Sequence, residues 1–157
     1  MRCVVQRMRE GKVFVDGETV GEIGHGLLVL CSFLETDTKE TIDWVANRIS
    51  KLRIFPDDNG KLNLSVKDIG GEVLCVSNFT LYANCAHGTR PDFSKAAKGE
   101  ISEPMYNYFV KKLSEFVPTS TGRFGKHMEL DLYSDGPITV IVEKETTGTR
   151  RERSFFN

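Results

Sequence analysis

The run GLLVLCSF, residues 26–33, is the feature that most limits what this chain can fold into. A strand with one wet face alternates polar and apolar side chains. Eight residues with almost no polar interruption suit instead a central strand covered on both faces. The fold must therefore supply two covers for one sheet. Material for the sheet is plentiful. RCVVQRM (2–8) and KVFVDG (12–17) alternate as two strands, and ETVGEIG (18–24) follows the Asp16-Gly17 turn as a third. GEVLCVSNFTLYA (71–83) is the longest strand-like run, and MELDL and ITVIV (128–132 and 138–142) flank a final hairpin turn at Gly136-Pro137.

Two helices supply the covers. Asp37 with Glu40 three residues later resembles a capping box, and Ile42, Val45, Ile49 and Leu52 then fall on one helical face. A second helix is expected to open near Ser102 and Pro104, with Tyr106, Phe109, Val110, Leu113 and Phe116 as its buried stripe. Few helices among many strands predict an α+β fold, with a mainly antiparallel, curled, barrel-like sheet and two main helices. A length of 157 residues fits one domain, expected over 1–145. The remaining 146–157 read as a basic, mobile tail bearing Arg150, Arg151 and Arg153, close after Lys144.

Composition excludes several classes of function. A net charge of −1 means that any polyanion must meet a local basic patch. MRCVVQRMRE carries charges where a signal peptide would be apolar, and no stretch approaches the ~20 apolar residues of a membrane span. The cysteines at 3, 31, 75 and 85 form no CxxC, and three of them sit in apolar strand-like runs. Free thiols and a cytoplasmic location are the expectation. His25, His87 and His127 are too scattered for a metal-ligand motif, so no metal and no cofactor are expected. GxSxG, HExxH, P-loop and GxGxxG are all absent.

Two short segments carry polar residues beyond what plain strands need: SNFTL (77–81) and SDGPIT (134–139). As a strand, SNFTL would place Ser77, Phe79 and Leu81 on one face and Asn78 and Thr80 on the other. Taken alone, SNFTL reads as a strand with a wet face and SDGPIT as a hairpin. As a pair they resemble the motifs SQFTL and NxGPVT of the D-aminoacyl-tRNA deacylase family, the D-tyrosyl-tRNA deacylases. The similarity extends through MRCVVQRM, VDGETVGEIGHGLLVL, GTRPDFSKAA and TGRFGKHMEL and fades only in the last dozen residues.

The resemblance implies a homodimer that hydrolyses the ester between a D-amino acid and the 3′-terminal ribose of tRNA. It implies that Gly136-Pro137 is cis and reaches into the partner's pocket, where its carbonyl oxygens meet the substrate amino group. Phe79 and Thr80 take the catalytic positions, Ser77 and Asn78 bind substrate, and Arg7 and Ser134 support the Gly-Pro element. An aminoacyl ester is already activated, so backbone N–H groups near Phe79 and Thr80 can act as an oxyanion hole without a triad. A Thr80 hydroxyl nucleophile is the competing mechanism, and the sequence supplies it no neighbouring base. Asn78 and Ser134 depart from the family's Gln and Asn. A non-catalytic RNA-binding homodimer of the same fold is the alternative function.

Overall fold

The structure, a computed structural model, describes residues 1–145 and Phe155. The rest of the tail, with Arg150, Arg151 and Arg153, lies outside the described residues, as does the expectation for it. Eight strands are formed: β1 (Arg2–Val15), β2 (Glu18–Ile23), β3 (Gly26–Ser32), β4 (Phe55–Pro56), β5 (Leu62–Leu64), β6 (Glu72–Ser77), β7 (Thr119–Thr121) and β8 (Glu129–Glu143). Two α-helices, α1 (Lys39–Ser50) and α2 (Gly99–Ser114), complete the α+β architecture.

The two N-terminal strands expected from sequence are one 14-residue strand. Both edges of β1 are used. Strand β8 pairs with it from Arg2 to Phe14, while β3 and β2 share the opposite edge. The Asp16-Gly17 turn joins β1 to β2, with φ of 50° and 80° at its two residues. Beyond β3 the sheet is mixed. The β3–β6 and β6–β7 pairs are parallel, because α1 and α2 lie within the crossovers that join them.

The apolar run of β3 is covered on both faces. Leu27, Val29 and Cys31 pack with α1 through Ile42, Val45 and Ile49, and with α2 through Met105, Phe109 and Leu113. Leu28 faces the other way, into a second cluster with Met8, Val13, Ile23, Leu74 and Val76 inside the curl of the sheet.

The helices begin elsewhere than the sequence suggested. Thr38 caps α1, accepting from the Thr41 N–H at 3.3 Å. The Asp37 carboxylate is occupied differently, by the Leu34 N–H at 2.8 Å and the Met1 amino group at 2.6 Å. Helix α2 opens at Gly99 and carries Pro104 inside it. Proline there forfeits only the bond to the Glu100 carbonyl, at the exposed start of the helix.

The largest correction concerns Gly136-Pro137. It is not the turn of a hairpin: β8 runs through it as one strand. The ladder with β1 steps from Met8↔Ser134 to Gln6↔Thr139, so residues 135–138 face Arg7 alone. Proline, which cannot donate to a ladder, sits where the ladder is interrupted. The Gly136–Pro137 bond is cis.

The curl nearly closes where β2 meets β7. At Gly21 an added Cβ would collide with the main-chain carbonyl of Thr121, which cannot rotate away as a side chain would. Gly21→Val is therefore expected to lower the unfolding free energy by about 1–3 kcal/mol. Urea denaturation checks it, as a lower midpoint at unchanged slope.

Candidate functional site

A cavity of about 390 Å³ opens where β3 and β6 end side by side, within the size range of small-ligand sites. Its walls are Cys31, Ser32 and Phe33 at the end of β3, and Ser77, Asn78 and Phe79 at the end of β6. The first residues of α2 and the loop 124–128 close it. The SNFTL segment does not continue as a strand. Asn78 donates its N–H to the Cys31 carbonyl at 2.8 Å, and the chain then turns into a single 3₁₀ turn, Phe79–Tyr82. The alternating-face reading of SNFTL fails for that reason.

This turn has a chemical consequence. The first N–H groups of a helical turn have no carbonyl behind them to bond. Leu81 N–H returns to the Asn78 carbonyl at 3.2 Å, whereas those of Phe79 and Thr80 have no acceptor among the described residues. Phe79 lines the cavity and Thr80 follows it in the turn, and two adjacent free donors of this kind suit a developing oxyanion. The turn is held from behind by Arg2, whose Nη1 donates to the Leu81 carbonyl at 2.8 Å and whose Nε reaches Glu143 at 3.0 Å. The Phe79 ring stays 58% exposed and meets Phe93 edge-on at 5.4 Å.

Side-chain nucleophiles are poorly equipped here. Thr80 donates its hydroxyl to the Asn78 side-chain carbonyl, an amide with no basicity to activate it. Asn78 thus has a local partner that does not depend on the length of the family's glutamine. Cys31 reaches the cavity, but burial pushes its thiol well up, and it stays protonated against the Cys75 sulfur and Val76 carbonyl. His127 lies on the exposed rim with no hydrogen-bond partner to orient it among the described residues. No group of three or more His, Cys, Asp or Glu among the described residues is placed to hold a metal.

Gly136, Pro137 and Ser134 are exposed and do not line the cavity of their own chain. What the structure does bring together is their support. Arg7 is only 8% exposed, and its Nη1 donates to the Ile54 carbonyl at 2.8 Å. Its Nε donates to the Asp135 carbonyl at 3.2 Å and lies 2.9 Å from that residue's carboxylate. A buried guanidinium needs such partners, and here they anchor the residue that precedes Gly136. Asp135 also faces Arg9 at 3.7 Å. Sequence reasoning missed Asp135 because it looks like ordinary turn chemistry.

It also missed the far wall: Phe124, Gly125, Lys126, His127 and Met128, with Ala97, Gly99 and Ser102 opposite. The signal was an aromatic held between two glycines in TGRFGKH, which read only as a punctuated loop. Phe124 packs at 5.6 Å against Tyr106, whose hydroxyl donates to the Cys75 carbonyl at 2.9 Å.

Known proteins resemble this chain in sequence and fold. Residues 4–143 match the family model described as D-Tyr-tRNA(Tyr) deacylase. A D-aminoacyl-tRNA deacylase of Dechloromonas aromatica is 49% identical over 92% of this chain and 98% of its own. One of Brevibacillus brevis is 51% identical over 91% and 99%. Among solved structures, a c-Myc DNA unwinding element binding protein superposes with a TM-score of 0.88 at 37% identity, over 93% of this chain and all of that one. A probable eukaryotic D-amino acid tRNA deacylase, at 18% identity and TM-score 0.78 over 90% and 97%, shares the fold. The chain belongs to the D-Tyr-tRNA(Tyr) deacylase family.

If main-chain donors carry the chemistry, Thr80→Ala retains a substantial fraction of the deacylation rate. Single-turnover assays check this, since loss of a true nucleophile costs on the order of 10⁴-fold or more.

Proposed function

We propose that this protein hydrolyses the ester joining a D-amino acid to the 3′-terminal ribose of tRNA, and so serves chiral proofreading in translation quality control. The observation that carries the reading is the pair of unpartnered N–H groups on Phe79, which lines the cavity, and on Thr80 next to it, beside a cavity with no activated side-chain nucleophile. An aminoacyl ester needs little more than to be held, wetted and relieved of charge as the tetrahedral centre forms. The neighbouring ribose hydroxyl of the substrate helps to activate the water. The compartment is the cytoplasm, which suits the buried free thiols of Cys3, Cys31 and Cys75.

Stereochemistry comes from a second copy of the chain. Gly136 and Pro137 project from β8, exposed and braced from below by Arg7 through Asp135. In a homodimer their carbonyls meet the substrate amino group in the partner's cavity. With amino group and ester fixed, one direction at the α-carbon is open and the other is blocked by main chain. A D side chain takes the open direction, whereas an L side chain strikes the Gly-Pro wall. A thousandfold preference requires only about 4 kcal/mol. Exposed Tyr133 and Ile141, at 57% and 65%, on a strand that among the described residues is paired at one edge only, support burial of this face against a second copy.

Assays with purified protein test the reading directly. D-tyrosine is released from tRNA while L-tyrosyl-tRNA survives at the same enzyme concentration; equal rates would remove the chiral wall. Glycyl-tRNA has no side chain to collide with it, and a missing apolar contact the size of a methyl is worth only about 1 kcal/mol. Its hydrolysis rate is expected nearer that of D-substrates than of L-alanyl-tRNA. Sedimentation at assay concentration should show a dimer, because a fully active monomer has no partner to supply the wall.

A further inference from the structure

The loop after β7 presents two unlike surfaces from a single turn. Arg123 to Lys126 close on a hydrogen bond from the Lys126 N–H to the Arg123 carbonyl at 3.3 Å, and Gly125, third in the turn, has φ of 71°. A positive φ at the third position marks a type II turn, the place glycine fills most readily. Phe124, second in the turn, is half-buried at the cavity wall against Tyr106. Arg123 and Lys126, at the two feet, are left exposed; Lys126 lines the cavity, and Arg123 adjoins the lining residue Phe124.

These cations are free of ion pairs among the described residues, as are others such as Lys61, Lys67 and Lys98; what distinguishes them is their place on the turn that walls the cavity. Arg2, Arg7, Arg9, Lys12, Lys95 and Lys112 all lie within ion-pair distance of a carboxylate. Among the described residues Arg123 and Lys126 have none, although the exposed Glu100 and Glu129 flank the same loop and the start of α2. With the molecule's net charge at −1, a polyanion has to be met by local cations of this kind.

We propose that Arg123 and Lys126 form a phosphate clamp for the single-stranded 3′ end of the RNA whose terminal residue occupies the cavity. The assignment rests on the deacylase reading and extends it from the ester to the polynucleotide. Single-stranded nucleic acid is held by the same combination: an aromatic surface beside the bases and cations along the backbone. The turn fixes both at once, since the backbone that tucks Phe124 inward spreads its neighbours over the rim.

The test compares a D-tyrosyl-tRNA substrate with D-tyrosyl-adenosine, which has the same ester and no phosphate. For the wild type, kcat/KM on tRNA is measured from 50 to 200 mM salt, a range in which each phosphate contact to a single strand contributes about 0.7 to the log–log slope. The pair Arg123→Gln and Lys126→Gln together should flatten the slope by about 1.4. It should also cost the tRNA substrate several-fold more than the adenosine ester. Lys126→Arg, which retains the charge, should retain the slope. The charge-matched pair Lys61→Gln and Lys67→Gln, exposed near β5 and away from the cavity, should leave it unaltered. An unchanged slope in the Arg123/Lys126 variant overturns the clamp, and so does an equal flattening by the control pair or an equal loss on both substrates. A wild type that cleaves neither ester overturns the deacylase reading itself.

Discussion

Strand β1 is the constraint on which the rest hangs, because it is paired on both edges almost from end to end. A strand so placed fixes the register of β8 on one side and of β3 and β2 on the other. A slip by one residue would turn Cys3, Val5 and Val13 from the core to the solvent side. Against this rigid ladder, the larger of the two places where β8 leaves register stands out: four residues opposite Arg7. Interruption of a ladder exposes polar main chain, and the Arg7 guanidinium answers it by reaching the Asp135 and Ile54 carbonyls. A charge this buried is tolerable only when its donors are engaged. The same interaction that makes Arg7 affordable in the interior also holds the Gly-Pro element at a set height above the sheet.

The cavity follows from topology. Parallel neighbours β3 and β6 end on the same side, and each must turn away there toward its own helix. Their departing backbones leave room between them, and a chain that has just left a ladder has donors with nothing to bond. The free N–H groups at Phe79 and Thr80 are thus a product of where the strand stops. Helix α2 and the loop 124–128 roof the gap.

Much of this could be read from the residues alone. The both-sides-buried character of β3, the apolar stripes of α1 and α2, and the Asp16-Gly17 turn follow from local pattern, and each is found. The family was legible from two five- to six-residue motifs taken together. What escaped was decided at a distance. The break between RCVVQRM and KVFVDG looked real because Arg9, Glu10 and Gly11 are poor strand formers, yet pairing with β8 carries the strand through them. Asp37 was misplaced as a cap because its true partner, the Met1 amino group, is 36 residues away. Gly136-Pro137 carried every local mark of a hairpin, and only β1 lying alongside makes it an interruption within one strand. The roof residues Phe124 to Met128 had no periodicity to betray them, since a turn of this kind is recognised by what it packs against.

A site whose donors belong to the main chain has an evolutionary consequence. Side-chain chemistry is lost at a stroke when a serine or histidine is substituted, whereas an N–H persists under any replacement except proline. Drift in the side chains around such donors therefore erodes a site of this kind slowly, and a lineage can wander far in motif spelling while the donor atoms stay where they were. The converse is that this pocket is hard to repurpose. Novelty would have to come through the path of the backbone, by insertion or re-registration next to β1, and there the ladder on both edges leaves little room for experiment.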